Sequence, residues 1–145
     1  MSAREYSTEQ AEHFKKKADH NKIESLWCFR IIMLSTLSAP LLVSLNEGIF
    51  YAKVLPSIFS AVAAFCTAWL QLRKPQELWS IYRNAQRQIE MQITHFDFNV
   101  AEYTGLDENK ANEQLALNVS NLVLETNNRW TKNVPNPSNL KIESN

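Results

Sequence analysis

Hydrophobic and polar positions change character several times along the chain, and each change predicts an element. The first 25 residues are polar and mixed in charge. From Ile31 to Asn46 the stretch IIMLSTLSAPLLVSLN carries no charge, and Leu26, Trp27, Cys28 and Phe29 lengthen it on its N-terminal side. A second uncharged run, VLPSIFSAVAAFCTAWLQL, covers Val54 to Leu72. A lipid hydrocarbon core takes about 20 helical residues at ~1.5 Å rise each. The two runs therefore predict membrane-spanning helices over about 26–46 and 54–72. Arg30, one turn from the end of the first, can reach the headgroups by extending its stem. Pro40 lies inside the first span and predicts a kink, whereas Pro56 falls in the first turn of the second, where a missing N–H costs little.

The linker NEGIFYAK, Asn46 to Lys53, is short and contains Gly48, so the two spans predict an antiparallel hairpin. Before it, Ser7 and Gln10 offer a capping box for a helix over about 8–25 that leads into the first span. After the second span the period changes. Leu78, Tyr82, Ala85, Ile89, Ile93 and Phe96 recur in steps of three and four, which predicts an amphipathic helix over about 76–99. FDFNVAEYTGLDEN reads as a turn region, with Gly105 as the stop and Asp107 as the next cap. A last helix over about 108–130 would turn Ala111, Leu115, Val119, Leu122 and Thr126 inward and pair with its predecessor. Residues 133–145 hold two prolines and little to bury, which predicts a disordered tail. The fold class is thus all-α: a two-helix transmembrane hairpin flanked by an N-terminal amphipathic helix and a C-terminal cytoplasmic helical hairpin, as one module over 1–132.

Charge adds a direction to this plan. Arg4, Lys15, Lys16, Lys17, Lys22 and Arg30 precede or open the first span, and Arg73, Lys74, Arg83 and Arg87 follow the second. The linker offers Lys53 alone. The positive-inside rule then places both termini in the cytoplasm. A soluble bundle with two wholly buried central helices is the alternative, since both runs are marginal in length and carry Ser and Thr. The Lys15–Lys17 cluster reads either as a contact to anionic headgroups or as a solvated topology signal. No apolar stretch in the first 25 residues predicts a secretory signal.

Candidate chemistry is sparse. Fifteen basic residues balance fifteen acidic ones, so no global field points to nucleic acid, and direct nucleic-acid binding is not expected. Two glycines in the whole chain leave no Gly-rich phosphate loop. Cys28 and Cys66 stand in apolar surroundings and read as buried, reduced thiols. His13 and His20 lack a third ligand at metal spacing and read as surface residues. Asp97, Glu102, Asp107 and Glu108 surround a turn without an EF-hand alternation. The sequon at Asn118 carries no meaning on a cytoplasmic helix. No nucleophile elbow, metalloprotease signature or phosphate loop occurs, so no enzyme, metal or cofactor is expected.

The most informative pattern lies in the second span. Ser57, Ser60, Ala64, Thr67 and Gln71 follow at steps of 3, 4, 3 and 4, with Lys53 and Lys74 extending the row at its ends. At about 100° per residue the five fall within a sector of roughly 80°. Such a stripe serves close helix packing, since small hydroxylic residues let backbones approach. It serves equally as the wetted wall of an oligomeric pore. Both readings stay open.

The order of parts resembles the SLATT family of SMODS- and SLOG-associating two-transmembrane effectors. Its most specific piece here is Trp79-Ser80-Ile81-Tyr82-Arg83 directly after the second span, followed by Tyr103-Thr104-Gly105 and a helix ending in Glu125 and Trp130. The resemblance covers roughly residues 10–132. Where the family pattern has an acid shortly after its Tyr-Arg pair, this chain has Asn84-Ala85-Gln86, and its next acid is Glu90. The resemblance implies a bacterial inner-membrane effector against phage, a homo-oligomer that forms a pore or disrupts the bilayer. It implies a separate signalling partner: a nucleotide synthetase, a SLOG-type sensor or a reverse transcriptase. A non-conducting membrane anchor that recruits a cytoplasmic partner is the competing function. Trp79, Tyr82, Arg83 and Arg87 then form the coupling segment: Trp79 at headgroup depth, Tyr82 facing the last helix, and the arginines clasping Glu90, a lipid phosphate or a partner's acid.

Overall fold

A computed structural model describes residues 2–45 and 48–133, without the side chains of Leu45, Tyr51, Ala52, Lys132 and Asn133. Asn46 and Glu47 of the linker, and the expected tail beyond Asn133, lie outside the described residues. Among the described residues the chain is all-α, with four helices: α1 (Ala3–Leu45), α2 (Leu55–Arg73), α3 (Pro75–Asp97) and α4 (Glu108–Asn133). A π-helical turn, Phe50–Val54, precedes α2, and a 3-10 turn, Ala101–Tyr103, lies between α3 and α4.

The expected N-terminal helix and first span are one helix. Nothing between residues 20 and 30 supplies a stop signal, and neither Gly nor Pro occurs there. The cap is also earlier than the sequence suggests. The Glu5 amide donates to Ser2 Oγ at 3.1 Å, and the Ser2 amide donates to a Glu5 carboxylate oxygen at 2.8 Å. That reciprocal pair is the capping box, and it replaces the one expected at Ser7 and Gln10. Ser7 is instead buried, its hydroxyl bonded to the Ala3 carbonyl at 2.7 Å.

The chain divides into two units, each with its own internal contacts. The helical unit comprises residues up to His20 and those from Glu77 onward. Its core joins three helices rather than the expected α3–α4 pair. Ala11, Phe14 and Ala18 of α1 pack with Tyr82, Ala85 and Ile89 of α3, and with Tyr103, Leu115 and Val119. The spacing 11, 14, 18 is one face of a helix, and its residues are small or apolar between exposed lysines. Leu78, Ile93 and Phe96 of the predicted α3 face, and Ala111 and Leu122 of the predicted α4 face, pack around this core.

Helix ends in this unit follow local chemistry. Asn99, with φ 51°, stops α3 in the left-handed region, a role expected of Gly105. Gly105, with φ 74°, makes the following turn instead. Asp107 caps α4 as expected, its carboxylate accepting from the Lys110 amide at 3.3 Å.

The hairpin unit covers residues 21–76. On its two spans the buried residues are small or polar: Asn21, Ser25 and Ser35 on α1, and Pro56, Ala63 and Cys66 on α2. Leu26, Trp27, Phe29, Leu34, Leu37, Leu41, Phe65 and Leu72 point outward. Both helices are long and apolar enough to cross a membrane. The π-helical turn before α2 has a cause in Pro56, whose ring cannot donate to the carbonyl four residues back. The Leu55 amide accordingly reaches five residues back to the Phe50 carbonyl. Pro40 sits within α1, which continues across it to Leu45.

Candidate functional site

The residues singled out in the second span do share one face of α2, and that face is not the one packed inside the hairpin. Pro56, Ala63 and Cys66 are buried, with Phe59 and Leu70 half-buried beside them. Ser57, Ser60, Ala64, Thr67 and Gln71 are all exposed. At about 100° per residue their strip lies roughly 100° round the helix from the packed face. Lys53 and Lys74, at its ends, are exposed as well. The Ser57 hydroxyl donates to the Lys53 carbonyl at 2.7 Å, and the Thr67 hydroxyl to the Ala63 carbonyl at 2.8 Å. These bonds satisfy the two donors locally and leave their oxygens facing outward. The Gln71 amide has two donors and one acceptor oxygen to satisfy, which an apolar neighbour cannot do.

A feature absent from the sequence reading closes the end of the hairpin near Arg73. The Trp69 indole N–H donates to Glu24 Oε1 at 2.7 Å. Arg73 approaches Glu24 Oε2 at 3.5 Å, and its guanidinium lies 5.8 Å from the centre of the Trp69 ring. One carboxylate of α1 thus engages two side chains of α2. One turn deeper, Cys28 and Cys66 lie against each other as free thiols. Glu24 is an ordinary acid in a mixed-charge stretch of sequence. Only its register opposite Trp69 distinguishes it, and that register is a tertiary fact.

Lys74 links α2 to α3 alone. It takes the left-handed conformation, φ 47°, and its amide bonds to the Leu70 carbonyl at 2.9 Å. The following proline disfavours the right-handed helical region at Lys74, so α2 ends there. Pro75 then becomes the first residue of a new helix, where its missing N–H is harmless.

Of the segment singled out after the second span, Trp79 and Arg83 are half-buried and Tyr82 is buried. Trp79 is half-buried against the helical-unit core. Tyr82 stacks on Phe14 of α1 with ring centres 6.0 Å apart, and the Lys17 ammonium sits 5.5 Å from its centre. Its stacking partner thus comes from α1, and the same core cluster holds Leu115 and Val119 of α4. Burial raises the Tyr82 phenol, which stays neutral. Arg83 bonds to Asp19 at 3.3 Å and to Gln86 Oε1 at 2.8 Å. The Gln86 amide passes the chain on to Glu90 at 2.7 Å. Asp19 of α1 thus supplies the carboxylate that Asn84-Ala85-Gln86 lacks, and Gln86 spans the gap to Glu90. Arg87 is exposed.

A second polar cluster lies where the Tyr103-Thr104-Gly105 motif meets α4. The Tyr103 hydroxyl donates to Gln92 Oε1 at 2.7 Å, and the Asn118 amide donates to both at 3.2 Å. Gln114 holds the Asn118 carbonyl oxygen at 2.9 Å. Burial pushes the Tyr103 phenol up, with the Asn118 bond opposing it. Asn118, set aside as a meaningless sequon, is a structural hydrogen-bond centre.

Among the described residues no group of three His, Cys, Asp or Glu side chains could hold a metal ion. No curated protein and no solved structure matches the chain. The profile of SLATT_1, the SMODS and SLOG-associating 2TM effector domain 1, matches residues 4–130. That stretch takes in α1, the hairpin, the Trp79–Arg83 segment and nearly all of α4. The chain is therefore a member of the SLATT family of two-transmembrane effector domains.

Proposed function

We propose that this protein is an inner-membrane effector of a bacterial anti-phage conflict system, in which several copies assemble and permeabilise the membrane on a signal from a separate protein. The observation that carries this reading is the outward strip of α2. Ser57, Ser60, Thr67 and Gln71 are exposed while the hairpin packs through another face. Polar groups facing hydrocarbon are costly, and a neighbouring copy or a water-filled lumen removes that cost. Both termini lie in the cytoplasm in this reading, supported by the basic residues that flank the two spans. The signalling partner is a nucleotide synthetase, a SLOG-type sensor or a reverse transcriptase, as the family's associations suggest. Replacing Ser60, Thr67 and Gln71 together by Leu should preserve insertion and abolish ion leakage from liposomes. Undiminished leakage in that variant would remove the strip from the conduction path.

One observation favours a non-conducting anchor instead. The Ser57 and Thr67 hydroxyls bond to their own helix, which reduces their need for water. An anchor predicts that triggered cells retain their membrane potential, read directly with a potential-sensitive dye.

A further inference from the structure

A basic residue at the end of a span ordinarily reaches toward headgroups, and an interfacial tryptophan ordinarily turns its N–H to water. At the Arg73 end of the hairpin neither does. The indole N–H of Trp69 is directed to Glu24 Oε1 at 2.7 Å, and Arg73 turns back along α2 toward Glu24 Oε2. The Glu24 side chain is only 16 % exposed, although an acid on a helix surface has free access to solvent elsewhere in this chain. Its neighbours along α1 are Asn21, Ser25 and Cys28, small or polar side chains of which the first two are buried. At this end the two spans thus engage through one carboxylate, which accepts a hydrogen bond from Trp69 and lies within ion-pair range of Arg73.

We infer that Glu24 is a latch. Its carboxylate holds the ends of the two spans together in the closed hairpin, and release of Trp69 and Arg73 from it lets α2 turn or separate against α1. Because one carboxylate holds both partners, a move of Glu24 away from α2 releases the Trp69 hydrogen bond and the Arg73 ion pair together. The latch rests on the permeabilising function proposed above and names the internal contact that keeps that function off. It differs from the outward strip of α2, since none of its residues is Ser57, Ser60, Ala64, Thr67 or Gln71.

Cys66 provides a direct reading of the latch, because it is buried on the same face one turn deeper. Full-length protein in vesicles is treated with a membrane-permeant maleimide, and peptide mass spectrometry follows Cys66 against Cys28. Glu24→Gln should speed Cys66 labelling about tenfold, the scale of a hydrogen bond to a charged group, and Arg73→Gln should speed it less, since its ion pair at 3.5 Å is partly solvated. The double variant should be no faster than the faster single one, since both changes break the same contact. Unchanged labelling in Glu24→Gln, or effects that multiply in the double variant, would overturn the latch. Trp69→Phe keeps the ring and removes the N–H, and it should speed labelling as well, so the test survives if a charge variant fails to insert. Dye leakage from the same vesicles separates the two proposals. Faster labelling with no leakage in any variant supports the latch and overturns the permeabilising reading.

Discussion

The core of the helical unit and the contact face of the hairpin are both surfaces between helices, yet they are built from opposite residues. In the first, Phe14, Ile89, Tyr103, Leu115 and Val119 are fully buried and lysines and glutamates face outward. In the second, Asn21, Ser25, Ser35, Ala63 and Cys66 are buried and Trp27, Phe29, Leu34, Leu37, Leu41, Phe65 and Leu72 face outward. Water drives large apolar side chains inward, at about 25 cal/mol per Å². Hydrocarbon exerts no such drive, so helices in lipid associate through small side chains and polar bonds. The inversion within one chain is a physical signature of two solvents. It also explains why exposed apolar area of this extent does not mark a failed core.

The sharpest way to break this comparison is to truncate one large side chain on each side of it. Ile89 is fully buried, and Ile89→Ala should destabilise the helical unit by about 2–5 kcal/mol. Leu34 is 67 % exposed, and Leu34→Ala should change the stability of the reconstituted protein by no more than about 0.5 kcal/mol. Both are read by thermal melting in lipid vesicles. Similar losses in the two variants would mean that the hairpin buries Leu34 against something, and the inside-out reading would fail.

A smaller effect sharpens the polar side of the same contrast. Tyr103→Phe removes the donor to Gln92 and one acceptor for Asn118, while the ring keeps its edge contact with Phe96 at 5.8 Å. Neutral hydrogen bonds contribute about 1 kcal/mol each, and Asn118 retains Gln92 as a partner. The variant should therefore lose about 1 kcal/mol in a urea titration of the helical unit, with the slope unchanged. Adding Asn118→Ala should cost less than it does in the parent chain, because the two residues share one network.

Much of this was legible in the sequence, and the failures share a cause. The two apolar runs, the α3 face from Leu78 to Phe96 and the α4 face from Ala111 to Thr126 are periodic signals within one segment, and the helices carry them. The Ser57–Gln71 row shares a face for the same reason. What was not legible depends on partners far apart in the chain. Ala11, Phe14 and Ala18 look like filler between lysines until α3 and α4 are present. Asp19 completes Arg83 across 64 positions, and Glu24 meets Trp69 across 45. Ser2 with Glu5 and Ser7 with Gln10 both fit a capping pattern, and only the helix start decides between them.

The smallest expected effect concerns a two-bond surface pair of the helical unit. Arg4 Nε donates to Asp97 Oδ1 at 2.8 Å, and a second guanidinium nitrogen donates to Oδ2 at 3.0 Å. The hydrogen bonds from Arg4 hold the Asp97 carboxyl below its ordinary value, and Arg4 is raised in return. A carboxyl depressed in the folded state contributes stability above its unfolded value and loses it as pH falls through the folded one. Asp97→Asn should therefore melt slightly below the parent at neutral pH, and the gap should close as pH falls below the usual carboxylate range. Both groups are partly solvated, so the gap should also shrink as salt is raised. A gap that persists at low pH would mean that Asp97 acts through packing at the end of α3, and the pair would then belong with the core rather than with the charged exterior.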